Sequence, residues 1–222
     1  MLEVLSCPGR AHHGINPFIL SRKGGGIMGK KIIILCGSPR KKGNTNTIVK
    51  WFAEGARKAG AKLKIVDVAH LKYKSNGCTA CMGCKKWDKY QCVIKDEATP
   101  ILASLPRYDV IVFATPVFFF GPTAQLKLFL DRTYSLFKFD KKTGEFVHQL
   151  GGKTFALIAT SGGPRENCLK PLEDIFTEIA RLTGLKLERL VEPFSSFDTK
   201  EFLKDKKDLK KKAAAFGKKL AR

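Results

Sequence analysis

Histidines and long apolar runs are scarce in this chain of 222 residues. The four histidines are scattered, so the sequence offers neither a histidine-based metal site nor a nucleophile triad. No stretch approaches the roughly 20 apolar residues of a membrane-spanning helix, and the N-terminus lacks the apolar segment of a secretory signal. We therefore expect a soluble cytoplasmic protein with no membrane partner.

Acidic residues are also in short supply, with 20 Asp and Glu against 41 Lys and Arg, which gives a formal net charge of +21. A basic surface attracts phosphate backbones, but positive charge alone does not indicate a specific nucleic-acid partner. The densest lysine group, at 204–219, fits the solvated side of a terminal helix. Nucleic acid is therefore not the expected partner, and a zinc-containing nucleic-acid-binding module is kept as a second alternative.

Residues 1–28 are rich in Pro, Gly and His and show no helical or strand period. They are predicted to be a disordered N-terminal extension, and Met28 is a natural alternative start. From residue 29 to residue 222 we expect one domain, because this length supports one sizeable core.

Apolar runs alternate with helical periods along this domain. Short apolar runs predict strands at 31–36, 63–68, 109–115, 154–159 and 187–191. Helical spacing predicts helices between and after them, the first capped by Asn44 or Thr45. The rhythm predicts an α/β fold, a three-layer doubly wound five-stranded parallel sheet, with a cysteine-rich loop insertion at 76–93. Residues 137–139 and 145–147 can form a small hairpin.

Four of the seven cysteines fall within fifteen residues, at Cys78, Cys81, Cys84 and Cys92. Gaps of two, two and seven residues can place their thiolates around one small inorganic centre. Iron, zinc and no metal all stay open on spacing alone, because four thiolates also suit zinc. Cys36 and Cys168 are expected to be core or incidental thiols. The clustering of cysteines favours a reducing compartment over a disulfide framework.

The loop after the first strand is suited to a phosphate. Ser38, Asn44 and Thr45 offer short polar donors, Gly43 lets the backbone approach an anion, and Arg40 can add a charge-assisted fork. The loop is neither a P-loop nor a dinucleotide-binding glycine motif, so a nucleoside triphosphate is not expected. An ordinary polar turn is the alternative.

Two further loops share that edge of the sheet, because ligands of doubly wound sheets bind beyond the carboxyl ends of the strands. Pro116, Val117, Phe118 and Phe119 make a rigid apolar surface suited to a planar ring, with core packing as the alternative. Residues Ser161, Gly162 and Gly163 bring backbone N–H groups to the same edge, or form a simple flexible turn.

At this point the chain resembles the flavodoxin-fold NADPH-dependent FMN reductase superfamily, and most closely its iron–sulfur flavoproteins. The resemblance rests on four segments: residues 37–45, 78–97, 115–119 and 126–132. It implies that FMN is bound by the three loops, through Ser38, Arg40, Gly43, Asn44, Thr45, Pro116, Val117, Phe118, Phe119, Ser161, Gly162 and Gly163. It also implies that Cys78, Cys81, Cys84 and Cys92 ligate a [4Fe–4S] cluster, and that the protein forms a homodimer or homotetramer.

These cofactors predict an FMN-dependent, electron-transferring oxidoreductase, because flavin handles one or two electrons and the cluster handles one. The donor is expected to be ferredoxin, attracted by Lys72, Lys74, Lys85, Lys86 and Lys89, or NAD(P)H. A flavin-only NAD(P)H-dependent FMN or quinone reductase is the first alternative. No catalytic side chain is predicted, and Asp131 and Arg132 are expected to form a structural ion pair at a helix end.

Overall fold

The computed structural model describes residues 29–140, 142–204 and 206–222. The prediction of disorder for residues 1–28 therefore lies outside the described residues. The strands and longer helices follow in the order β1 Lys31–Cys36, α1 Asn44–Lys58, β2 Lys62–Asp67, α2 Ala98–Ser104, β3 Val110–Phe118, β4 Gly121–Pro122, α3 Ala124–Arg132, β5 Phe137–Phe139, β6 Phe146–His148, β7 Thr154–Thr160, α4 Lys170–Thr183, β8 Lys186–Glu192, α5 Thr199–Leu203 and α6 Lys207–Leu220.

Five parallel strands form the central sheet in the order β2-β1-β3-β7-β8, which confirms the predicted doubly wound fold. The winding reverses between β1 and β3, so the carboxyl ends of these strands mark the switch point at which such sheets bind ligands. The two-residue strand β4, which was not predicted, folds back antiparallel on the end of β3. The small hairpin of β5 and β6 is present, with its second strand one residue later than predicted.

Alternate residues of the buried strands supply two cores, one on each face of the sheet. Ile33 and Leu35 of β1 face the helices α2, α3 and α4, whereas Ile32 and Ile34 face α1 and α6. Such near-continuous apolar strands are expected where helices cover both faces of a parallel sheet. The three predicted layers are therefore observed.

Helix α6 packs closely on α1 because glycines leave room for the backbone at the contact. A Cβ on Gly55 would lie 2.0 Å from the Ala214 carbonyl oxygen, and one on Gly217 would lie 2.1 Å from that of Phe52. Ala213 and Phe216 fill the interface, and the lysines of α6 are exposed. The basic group at the C-terminus is thus a solvated helix face, as predicted.

Candidate functional site

The loops at the carboxyl ends of β1, β3 and β7 are joined by buried hydrogen bonds. The hydroxyls of Thr45 and Thr160 lie 2.8 Å apart, which links the first loop to the end of β7. The Thr123 hydroxyl, which caps α3, donates to the Gly37 carbonyl oxygen at 2.6 Å. The three predicted cofactor loops therefore form one edge of the molecule.

The first loop leads into α1, whose first turn has no side-chain cap among the described residues. The N-cap is Gly43 and, within the described chain, no side chain caps the helix, so the predicted Asn44 or Thr45 cap is wrong. Both side chains are used elsewhere, because the Asn44 amide donates to the Ser196 carbonyl at 2.6 Å. The Asn44 Oδ1 atom is buried and has no hydrogen-bond partner among the residues described. Uncapped first-turn N–H groups are the usual donors to a phosphate.

A fourth segment, Pro193–Thr199, lies over this edge and was missed by the sequence prediction. It follows β8, and its Ser195 N–H donates to the Ser161 carbonyl at 2.8 Å. The Arg40 guanidinium donates to the Phe197 carbonyl at 2.8 Å, so this predicted phosphate ligand is engaged in holding the segment. The signal that could have revealed it is its position: it leaves the carboxyl end of a strand, like the other three loops.

The second loop ends in a two-residue hairpin turn made of two phenylalanines. Val117 pairs with Pro122 and Phe118 with Gly121, which leaves Phe119 and Phe120 at the tip. Both tip residues have positive φ, 46° and 67°, as a type I′ turn requires, although Asn and Gly are the residues that adopt it readily. Phe119 is 97% exposed. The turn thus holds an aromatic ring outward at a cost in backbone strain.

The third loop is packed tightly on both sides. A Cβ on Gly162 would lie 3.3 Å from the ring of Phe197, and one on Gly163 would lie 2.5 Å from the Cys168 sulfur. Cys168 belongs to a short π-helical turn before α4, and it is half-buried against this loop. A side chain at position 163 would therefore force the Cys168 sulfur to move. Ser161 is buried, and its hydroxyl donates to the Gly163 carbonyl at 2.8 Å.

The four clustered cysteines line one pocket, together with Arg132 and Tyr134. Cys84 and Cys92 are buried, whereas Cys78 and Cys81 are exposed. Across the described ranges, no group of three or more His, Cys, Asp or Glu side chains is already arranged to hold a metal ion. The thiolates are thus neighbours around a common space without forming a closed ligand set.

Backbone geometry turns the chain sharply between the cysteines. Ala80 and Met82 have positive φ, 52° and 55°, and a Cβ on Gly83 would lie 2.7 Å from a Val93 methyl group. The Gly83 N–H bonds to the Cys81 sulfur and is the largest cause that lowers the pKa of that thiol. Backbone N–H groups directed at sulfur are a common means of stabilising thiolates in metal centres.

Two lysines fasten the cysteine segment to β5, and we call them the lysine clasp, Lys85 and Lys138. The Lys85 ammonium donates to the Tyr134 and Phe137 carbonyls at 2.7 and 2.6 Å. In the opposite direction, the Lys138 ammonium donates to the Cys84 and Trp87 carbonyls at 2.5 Å each. Lys85 is therefore a structural residue, while the other four lysines expected to attract ferredoxin are exposed.

Two carboxylates close the base of the cysteine insertion. Asp96 accepts from the Lys74 N–H at 3.0 Å, and Glu97 accepts from the Lys72 N–H at 2.8 Å, so both ends of the insertion are held together. Asp96 also pairs with Arg132 at 2.6 Å. The predicted Asp131–Arg132 pair is wrong, because Asp131 faces outward and bonds Lys127.

The electrostatics of Asp96 and Cys36 reflect their surroundings. Burial alone would raise the pKa of Asp96, but hydrogen bonds from Arg132 and from the Lys74 N–H outweigh burial and lower it to about 2. Burial, reinforced by Asp67, raises the pKa of Cys36 to about 12. Cys36 is thus an inert core thiol, as expected. All six cysteines in the described part are free.

Comparison with known proteins gives consistent matches. The sequence profile described as NADPH-dependent FMN reductase matches residues 30–191. An iron–sulfur flavoprotein of Methanocaldococcus jannaschii is 30% identical over 146 residues, which cover 66% of this chain and 71% of the relative. One of Archaeoglobus fulgidus is 32% identical over 133 residues, 60% of this chain and 59% of the relative. The solved NAD(P)H:quinone oxidoreductase of Methanothermobacter marburgensis superposes with a TM-score of 0.67 at 15% identity, covering 87% and 96% of the two chains.

The chain therefore belongs to the NADPH-dependent FMN reductase family. The resemblance to the family's iron–sulfur flavoproteins is confirmed, as are the flavodoxin-like fold and the class of FMN-dependent oxidoreductase. The nucleic-acid-binding alternative is not favoured. None of the helices in the described ranges has the length and apolar character needed to cross a bilayer. A cytoplasmic location stays a prediction.

Proposed function

We propose that this protein transfers electrons from ferredoxin or NAD(P)H to an acceptor, with FMN at the sheet edge and a [4Fe–4S] cluster in the cysteine pocket. The observation that carries the proposal is the convergence of all four clustered cysteines on one pocket. Bound together, the two groups would interconvert two-electron and one-electron transfer.

The switch-point edge supplies what FMN needs at its two ends. The uncapped start of α1 and the buried Ser38 and Thr45 would hold the phosphate, with Asn44 and Gly43 beside them. Arg40 would act by keeping the Pro193–Thr199 segment over the loop. Residues 116–119 would flank the ring with apolar side chains, and Gly162 and Gly163 would offer it backbone N–H groups, whereas the Ser161 N–H already donates to the Glu192 carbonyl.

The cysteine segment has the donor chemistry that an iron–sulfur cluster requires. Cys84 and Cys92 already face the inside of the pocket, and Cys78 and Cys81 would turn inward on loading. The lysine clasp holds the backbone of Cys84 in place and adds positive charge near the thiolates. Such charge offsets the repulsion among four thiolates.

Helix α3 provides a fixed spacing between the two centres. Thr123, which caps the helix, is bonded to the first cofactor loop, and Arg132, its last residue, lies in the cysteine pocket. The nine residues of α3 span about 13 Å at 1.5 Å per residue. A single rigid element would therefore hold both cofactors of one chain.

A flavin-only NAD(P)H-dependent reductase is the second candidate. It is supported by the family match itself, whose description names NADPH and FMN and no cluster. In that case the cysteine segment would be a structural insertion, and NAD(P)H would reduce FMN directly.

Anaerobic stopped-flow kinetics separate the two candidates. Reduced ferredoxin or NADPH is mixed with the native protein and with Cys84→Ser, and FMN bleaching is followed. We expect ferredoxin to reduce FMN in the native protein at a rate that falls with ionic strength, because Lys72, Lys74, Lys86 and Lys89 are exposed. We expect Cys84→Ser to keep FMN and lose this reaction. Equal rates in both proteins would support the flavin-only reductase.

Sedimentation tests the predicted homodimer or homotetramer.

A further inference from the structure

One wall of the cysteine pocket carries a buried cation. Arg132 is the last residue of α3, its side chain is 0% exposed, and it lines the pocket with the four cysteines. A fully buried arginine is rare unless each of its donors is used. Its partners therefore show what the residue does.

Three hydrogen bonds engage the two terminal nitrogens of the guanidinium and leave its Nε without a partner among the described residues. One terminal nitrogen donates to Asp96 at 2.6 Å, and the other donates to the Ile94 carbonyl at 3.1 Å and to Thr99 at 2.8 Å. Burial lowers the pKa of Arg132, but Asp96 and Cys92 raise it above its ordinary value. The Nε–H finds no hydrogen-bond acceptor among the described residues. Leaving a buried donor unpaired is unfavourable, so this N–H would gain from an acceptor.

Cys92, which lines the same pocket, is the candidate for that acceptor. Its sulfur is buried in the same pocket, and it follows the seven-residue gap that separates it from the other cysteines. A cysteine so far from its companions along the chain needs something other than a tight turn to orient it. A buried N–H donor on a rigid helix end can do so, because charge-assisted bonds to a thiolate are directional.

Resting on the proposed function, we propose that Arg132 is a positioning residue of the cluster: it orients the Cys92 thiolate as the fourth ligand by N–H···S hydrogen bonding and raises the reduction potential of the centre. Reduction adds negative charge to a cluster and its thiolates, so a donor directed at sulfur stabilises the reduced form. Because the Asp96 charge cancels that of Arg132 at longer distances, we expect the effect on the potential to act through the Cys92 sulfur alone.

The test compares the native holoprotein with two variants and one control, all purified without oxygen. Arg132→Lys keeps the charge and loses the planar fork. The double variant Arg132→Gln/Asp96→Asn removes both charges together, which avoids leaving one buried and unpaired. Lys127→Gln on the same helix breaks only a surface pair and is the control. Iron per chain and an EPR-monitored redox titration are measured, with circular dichroism to verify folding.

We expect both Arg132 variants to lose iron on gel filtration and to keep FMN. Their remaining clusters should be harder to reduce by at least tenfold in the one-electron equilibrium constant, about 59 mV. The control should match the native protein. Native iron content and potential in folded Arg132→Lys or in the folded double variant would overturn the inference and leave the proposed function standing. If the native protein itself holds no iron, the cluster proposal fails first and this inference falls with it.

Discussion

Arg132 and Asp96 form a buried ion pair at 2.6 Å, in which the two side chains are 0% and 1% exposed. They lie 36 positions apart, and the pair joins the end of α3 to the residues that close the cysteine insertion. The same carboxylate holds the Lys74 N–H at the start of that insertion. The cysteine segment is therefore fixed to helix α3, whose N-cap Thr123 is also bonded to the loop after β1.

Acid should weaken the fold through Asp96. Its pKa is lowered in the folded protein to about 2, below the unfolded value near 3.9, so its contribution to stability is complete above pH 4 and is lost as the pH falls towards 2. The contribution is roughly 2 kcal/mol. Urea midpoints measured between pH 2 and pH 5 check this.

Asp96→Asn should reduce the loss of stability between pH 5 and pH 2, because an amide does not titrate. At neutral pH the free energy of unfolding of this variant should fall by about 3–5 kcal/mol, since Arg132 stays buried without its counter-ion. Asp131→Asn removes an exposed carboxylate of the same region and should lose less than about 1 kcal/mol. Equal losses in the two variants would contradict the assignment of Arg132 to Asp96.

The lysine clasp should control the mobility of the cysteine segment. Lys138→Met removes two bonds to the Cys84 and Trp87 carbonyls, and these bonds hold the segment on β5. Hydrogen exchange of residues 84–92 should become at least about tenfold faster, because local opening then costs less free energy. Lys86→Met, at an exposed neighbouring lysine, is the control and should leave exchange unchanged. Uniformly faster exchange over the whole chain would argue for a global loss of stability.

The strained Phe119–Phe120 tip should lower the stability of the fold and strengthen FMN binding. Replacing the pair by Asn-Gly supplies residues that favour positive φ, and it should stabilise the fold by about 2 kcal/mol. The same change removes aromatic surface at the proposed ring site and should weaken FMN at least about tenfold. Thermal unfolding of the apoprotein and fluorescence titration with FMN measure the two effects.

Leu182→Asn serves as the matched control for the tip. Leu182 is also an exposed apolar residue, but it lies on α4 and not in the second loop. It should leave FMN affinity unchanged. An Asn-Gly tip that binds FMN as the native protein does would remove the second loop from the proposed ring site.

The contact between Gly163 and Cys168 can be tested by a double-mutant cycle. Gly163→Ala places a methyl group 2.5 Å from the Cys168 sulfur, so it should lower the melting temperature and weaken FMN. Cys168→Ala alone should change little, because the thiol is only half-buried. The double variant should recover most of the loss in both measurements. Additive losses would show that the sulfur is not the obstacle.

The sequence predicts those parts of the fold that depend on local hydrophobic patterns. The five buried strands and the loops that leave β1, β3 and β7 follow from apolar runs and turn residues. The Pro193–Thr199 segment was missed because its role depends on where β8 ends in the sheet and on a bond to Arg40. The partner of Arg132 could not be predicted from the sequence. The adjacent Asp131 and the distant Asp96 carry the same carboxylate, and only the folded structure shows which of them contacts Arg132.

The α1 cap failed for a related reason. Asn44 and Thr45 are good capping residues by type, yet tertiary partners on Ser196 and Thr160 use their side chains. Local preference gives way here to tertiary contacts between segments that are distant in the sequence.

The most direct measurement is the composition of the protein purified without oxygen: iron, sulfide, zinc and FMN per chain, with the EPR spectrum of the reduced sample. The account predicts about four iron and four sulfide for each FMN, and a reduced-cluster signal that disappears in Cys84→Ser. A protein that binds FMN and takes up neither iron nor sulfide after reconstitution, or that holds zinc instead, would contradict it.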